Sequence, residues 1–133
     1  MNPLIINRKD KDLLKVLFDK EKNIFIINGN SLPENAVLFF TPIHEWLSEY
    51  KAQPNSESIF QIHLNYYNTT SSKHLLKIFF HLKNIMEKGN NVLVKWYGAE
   101  DADYLDEANA YQNMVKIPFE FIEEVPDFSK HFN

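Results

Sequence analysis

A chain of 133 residues, 44% of them hydrophobic and 14% aromatic, can bury a core of its own. That excludes a disordered segment and a scaffold dependent on metal or disulfide staples. The absence of cysteine also excludes thiolate zinc sites and cysteine nucleophiles, and fits a reducing compartment. The net charge of −4 is uneven: from Ala99 onward nine acids face two lysines, a local −7 that leaves +3 for the rest, and no basic stripe suited to nucleic acid appears.

In chain order, the apolar run Leu4-Ile5-Ile6 is too short for the core of a signal peptide. No later run approaches the roughly 20 residues of a membrane span. The expectation is a cytoplasmic protein with neither membrane nor nucleic-acid partner. Val16-Leu17-Phe18-Asp19 and Asn23-Ile24-Phe25-Ile26-Ile27, around the polar Lys20-Glu21-Lys22, read as a β-hairpin. Asn28-Gly29-Asn30 is expected to end its second strand, since these residues tolerate positive φ.

Ser31 and Glu34 have the spacing of a capping box. Pro42 lacks an N–H, so the helical region is predicted to break there, with Thr41 as N-cap and Pro42 as the first residue of a helix through Tyr50. Trp46, Leu47 and Tyr50 form its buried stripe. Ile59, Phe60, Ile62 and Leu64 mark a strand apolar on both faces, as at the centre of a covered sheet. Leu75, Leu76, Phe79, Phe80, Leu82, Ile85 and Met86 then repeat at helical period up to Gly89, placed as a C-terminal glycine. Val92-Leu93-Val94-Lys95-Trp96-Tyr97 is the next strand, completing a βαβ unit with parallel pairing and a right-handed crossover. A polar helix over Asp103–Tyr111 and an alternating strand over Phe119–Glu123, near an edge, finish the chain. The fold class is α/β: a single domain over residues 1–133, with a mixed sheet of four to five strands and helices packed mainly on one face.

Catalytic motifs are absent: no phosphate-binding glycine loop, no G-x-S-x-G elbow and no H-E-x-x-H. His74 and His81, seven apart on one helix, read as surface histidines with no third ligand in spacing beside them. Asp101-Ala102-Asp103 opens like a calcium loop, but Asp106 stands where its glycine belongs, which excludes calcium. No cofactor is expected. The informative segment is Asn68-Thr69-Thr70-Ser71-Ser72-Lys73, four consecutive hydroxyls between a central strand and its helix. One of them serves as N-cap. A helix N-terminus also welcomes negative charge, so a phosphate there meets free N–H donors and the positive end of the dipole. Of Tyr66 and Tyr67, on alternating faces of the strand end, one is expected buried and one exposed as a partner anchor.

The chain resembles the SiaC family of regulatory phosphoproteins, small bacterial domains akin to STAS-type anti-sigma-factor antagonists. The resemblance runs from Ile24 to Ile122. It rests on Gly29-Asn30-Ser31-Leu32-Pro33-Glu34-Asn35, Phe39-Phe40-Thr41-Pro42 with Trp46-Leu47, and Leu64-Asn65-Tyr66-Tyr67-Asn68-Thr69 with Ser71 and Lys73; Val94-Lys95-Trp96-Tyr97 and Pro118-Phe119 follow downstream. It implies that Thr69 is the phosphoacceptor. It further implies a serine/threonine kinase of the histidine-kinase-like ATPase type, a PP2C-like phosphatase, and an effector such as a diguanylate cyclase, bound by the unphosphorylated form. Tyr67, Asn68, Thr70, Ser71 and Lys73 then belong to the partner surface. The rival expectation is a constitutive adaptor docking through the acidic segment Glu100–Glu107. An enzyme with Thr69 or Ser71 as nucleophile and Lys73 or His74 as base lacks an orienting third group and an oxyanion hole.

Overall fold

A computed structural model describes residues 1–7, 14–31, 36–67, 69–98 and 102–132, with backbone alone for residues 31, 66, 67, 69 and 102–104. The elements are β1 (Leu4–Ile6), β2 (Lys15–Asp19), β3 (Ile24–Ser31), α1 (Ala36–Tyr50), β4 (Glu57–Tyr67), α2 (Thr69–Glu87), β5 (Asn91–Tyr97), α3 (Ala102–Val115) and β6 (Phe119–Ile122), then a 3₁₀ turn over Ser129–His131. The strands form one sheet in sequence order, β1-β2-β3-β4-β5-β6. The first three are antiparallel, and β3 through β6 pair in parallel.

That order fixes the layering. Three consecutive crossovers that step in one direction, each right-handed, put α1, α2 and α3 on the same face of the sheet. The strands alternate accordingly: Val16, Phe18, Phe25, Ile27, Phe60, Ile62, Val94 and Trp96 are all buried in the core under the helices. At its centre Phe25 of β3 stacks on Phe60 of β4 with centroids 4.5 Å apart, and Phe18 lies edge-on to Phe60 at 5.4 Å. Trp46 and Tyr50 of α1 close over this cluster, their rings 5.1 Å apart. The opposite face is covered by the C-terminal segment: Phe128 is buried with Ile26 and Tyr97, and Phe132 packs beside them. Asn7 Nδ2 donates to the Phe132 carbonyl at 2.6 Å. On this face His63 donates from Nδ1 to Asn28 Oδ1 at 2.8 Å.

The hairpin, the central βαβ unit, the edge position of the last strand and the burial of Trp46 follow the sequence reading. Three details differ. The sheet has a sixth strand, because β1 is three residues long and its pairing of Leu4 with Phe18 is a tertiary contact that no periodicity records. Gly29 does not end β3: the strand continues to Ser31 through a register shift at Gly29/Asn30, with Gly29 at φ 124°. Pro42 does not break the helix, and α1 runs unbroken across it. Thr41, expected as an N-cap, sits inside the helix and donates its hydroxyl to the Val37 carbonyl. Pro42 lies on the solvent side, where loss of one ladder donor is tolerated because water reaches the backbone. Glu34 of the expected capping box lies outside the described residues.

Among the described residues no helix is long and apolar enough to cross a membrane.

Candidate functional site

β3 and β4 end together, since Ser31 pairs with Tyr67 across the parallel ladder. Their following helices therefore start side by side at the carboxyl ends of the strands, the usual location of sites in α/β sheets. Thr69 is the first residue of α2, and neither α1 nor α2 carries an acidic residue in its first turn. Two helix N-termini thus present their orphan N–H groups and positive dipole ends to one region with no carboxylate of their own to neutralise them.

The two helices run parallel at a constant offset. His44 of α1 meets His74 of α2 and Lys51, just past α1, meets His81, both thirty residues apart in sequence. Carried back toward the N-termini, this register sets the first turn of α1 beside Thr69. There Val37 is 67% and Leu38 73% exposed. Val37-Leu38-Phe39-Phe40 is a run of four apolar residues, more than one helix face can bury, and that run is the signal by which the sequence could have revealed this patch.

On α2 the helical turn sorts the predicted residues. Thr70 and Lys73 are exposed, on the side open to a partner. Ser71, expected at the partner surface, is 0% exposed and faces the interior. Asn68 lies outside the described residues, as do the side chains of Tyr67 and Thr69 and the acidic residues Glu100 and Asp101.

His74 is not the surface histidine the spacing suggested. It is 8% exposed and lies flat on Phe40, with centroids 4.7 Å apart and planes within 2°. Its Nδ1 shares a 3.0 Å hydrogen bond with His44 Nε2. His81 adjoins the pair, its ring 5.5 Å from that of His44, and accepts at Nδ1 from Lys51 Nζ at 3.2 Å. Burial, then the neighbouring His81, His74 and Lys77, hold the His44 pKa down at about 4. Burial and Lys51 do the same for His81, also to about 4. His74 is lowered by burial and Lys77. These rings are neutral at pH 7. The cluster joins two helices, so sequence spacing along α2 alone could not disclose it. No group of three or more potential metal ligands converges among the described residues.

The family model for the SiaC family regulatory phosphoprotein matches residues 8–124. The chain belongs to the SiaC family. Its fold is similar to that of apo-SiaC from Pseudomonas aeruginosa, with a TM-score of 0.80 at 22% identity over 92% of this chain and 99% of that one. A second crystal structure, of the diguanylate cyclase SiaD in complex with its activator SiaC from Pseudomonas aeruginosa, matches with a TM-score of 0.80 at 21% identity, covering 90% of this chain and 98% of that chain. No curated protein matches the sequence. For the SiaC family the α/β single domain, the mixed sheet and the regulatory-protein class are thereby established, and the four-to-five-strand expectation stands close to the six observed.

Proposed function

We propose that this chain is a cytoplasmic partner-switching protein whose state is set by phosphate on Thr69. Unphosphorylated, it binds and regulates an effector, by analogy with the SiaC that activates the cyclase SiaD, a diguanylate cyclase. A serine/threonine kinase of the histidine-kinase-like ATPase type adds the phosphate and a PP2C-like phosphatase removes it. The chain itself catalyses nothing and uses no cofactor.

The observation that supports this reading most is the position of Thr69 at the N-terminus of α2, at the end of the α1–α2 pair where Val37 and Leu38 are exposed. An apolar patch of this kind rewards burial by a partner. A phosphate next to it, carrying about −1.5 to −2 charges at pH 7, must be stripped of water when the partner closes. In the free protein the same phosphate is favoured by the orphan N–H groups and the dipole of α2, so the modification leaves the fold standing. Tyr67, Asn68, Thr70 and Lys73 surround the acceptor in sequence and form the proposed contact set. Ser71, being buried, contributes by holding the first turn of α2 in place rather than by touching the partner.

The test is mass spectrometry of the protein isolated from its own cells, with Thr69→Ala and Thr70→Ala for comparison. The expected result is phosphate on the peptide containing Thr69, lost in Thr69→Ala and kept in Thr70→Ala. Co-purification of wild type and Thr69→Asp with an effector is expected to differ at least tenfold, since about 1.4 kcal/mol suffices for that factor. A chain never phosphorylated there, with Thr69→Asp binding as wild type, would leave a constitutive adaptor as the better reading.

A further inference from the structure

Along the α1–α2 pair, two turns and more beyond Thr69, an open cleft of about 440 Å³ is lined by His44, Lys51, Lys77, Phe80, His81 and Asn84. None of these side chains is acidic. An ammonium only donates, so His81 Nδ1 must accept from Lys51 Nζ. Neutral His81 therefore carries its proton on Nε2 and offers a donor there. Lys51 keeps two N–H groups and Lys77 three, and Asn84 adds an amide. His44 Nδ1 is buried and has no hydrogen-bond partner among the described residues. With the rings neutral, the charges that act on His44 and His81 are those of lysines: Lys77 on the first and Lys51 on the second. At the rim stands Phe80, 44% exposed, an aromatic ring of the kind that anchors interfaces.

We infer that this cleft receives a carboxylate side chain of a protein partner, held between Lys51 and Lys77 while the partner's apolar surface covers Phe80. Two lysines, a histidine N–H and an amide around one opening, with no acid among them, complement a carboxylate. An exposed aromatic rim suits a side chain delivered by a folded surface, because that surface buries the ring at the same time. The inference rests on the reading of the chain as a partner-binding regulator and is independent of phosphate on Thr69. It extends the contact surface along α2: residue 81 lies about 18 Å along the helix from residue 69 at 1.5 Å per residue.

The experiment is NMR of the purified unphosphorylated chain, following the ring signals of His44 and His81. The probe is a capped tetrapeptide of two glutamates flanked by leucines; its glutamine analogue and inorganic phosphate run in parallel. The glutamate peptide is expected to shift both rings and saturate at about millimolar concentration. The glutamine analogue and the Lys51→Gln/Lys77→Gln double variant, checked for fold by its backbone amide spectrum, are expected to weaken binding at least tenfold. Phe80→Ser is expected to weaken the peptide and leave phosphate unchanged. Equal binding of the glutamine peptide, indifference to the lysine variants, or tighter binding of phosphate than of peptide would each overturn the inference. So would cleft signals that shift with protein concentration alone, which would assign the site to the acidic third of a second copy. Thr69→Ala is expected to bind the peptide as wild type. A peptide that binds while Thr69 is never phosphorylated removes the switch and keeps the cleft; a switch without peptide binding does the reverse.

Discussion

His74 lies parallel to Phe40 at 4.7 Å and hydrogen-bonds His44 across the α1–α2 seam at 3.0 Å. Protonating His44 or His74 adds charge to a seam that already faces Lys51 and Lys77, with no carboxylate among the groups acting on them. In the unfolded chain these rings titrate at about 6.5, whereas folded His44 and His81 hold off protons down to about 4. Between those values the unfolded state binds more protons, so stability rises with pH there. The contribution is fully present above 6.5 and is lost as pH falls toward 4. Urea midpoints measured from pH 7.5 down to pH 4.5 should fall steadily. A His44→Gln/His81→Gln variant should flatten the decline.

Tyr50 carries a different kind of bond. Its hydroxyl lies 2.6 Å from Ser58 Oγ, both residues being fully buried, and it accepts from the backbone N–H of Asn55 at 3.1 Å. The three groups tie the end of α1 to the start of β4. Tyr50→Phe keeps the ring in the aromatic cluster but leaves Ser58 and the Asn55 N–H without this partner. Loss of about 1–3 kcal/mol in chemical denaturation is expected, with Tyr50→Phe/Ser58→Ala recovering part of it.

Gly98 follows β5 at φ +76° and donates its N–H to Ile122 at 2.9 Å, fixing the end of β5 against β6. A Cβ built there would stand 3.1 Å from Cδ2 of His63. Both the left-handed backbone and the ring oppose a side chain. Gly98→Ala should cost about 1–2 kcal/mol or more. In Gly98→Ala/His63→Ala only the contact part of that loss should be relieved. Thermal unfolding of the three variants separates the two contributions.

The exposed pair Val37 and Leu38 should behave in the opposite way. Val37→Ser/Leu38→Ser replaces side chains that are mostly exposed, so stability should stay within about 0.5 kcal/mol of wild type. Effector binding by the unphosphorylated chain should weaken at least tenfold, measured by calorimetry against the effector that co-purifies with wild type.

What the sequence disclosed was what depends on local periodicity. Leu75 through Met86 spell an amphipathic helix, and Val92 through Tyr97 a buried strand, because each side chain's face is set by its own position along the chain. Pro42 misled because the local cost of an internal proline is outweighed by packing: α1 buries Phe39, Phe40, Ile43, Trp46, Leu47 and Tyr50 while Pro42 itself faces water. Gly29 misled because a bulge and a turn ask for the same residue. The histidine cluster was invisible because its members come from α1 and α2, and which faces meet is decided by packing. At the candidate site, the hydroxyl run was plain in the sequence, though it forms the first turn of α2 rather than a link between strand and helix; that Thr70 points outward and Ser71 inward depends on where the helix begins. The covering of the rear face by Phe128 and Phe132 has no periodic signature, since the two rings flank a single short 3₁₀ turn outside the helices and strands.

The strand order has a bearing on how the chain comes together during synthesis. Each strand lies next to the one made just before it, so no strand waits for a distant partner. From β3 onward each closure spans one helix and its two connections, which keeps the entropy of loop closure small and nearly constant from step to step. The sheet can therefore lengthen by accretion as the ribosome delivers it, with one temporary open edge at a time, and that edge is covered when the following helix and strand arrive. The start of α2, where phosphate is proposed to be carried, falls midway in that order, after the hairpin and before the strands that lock α2 down.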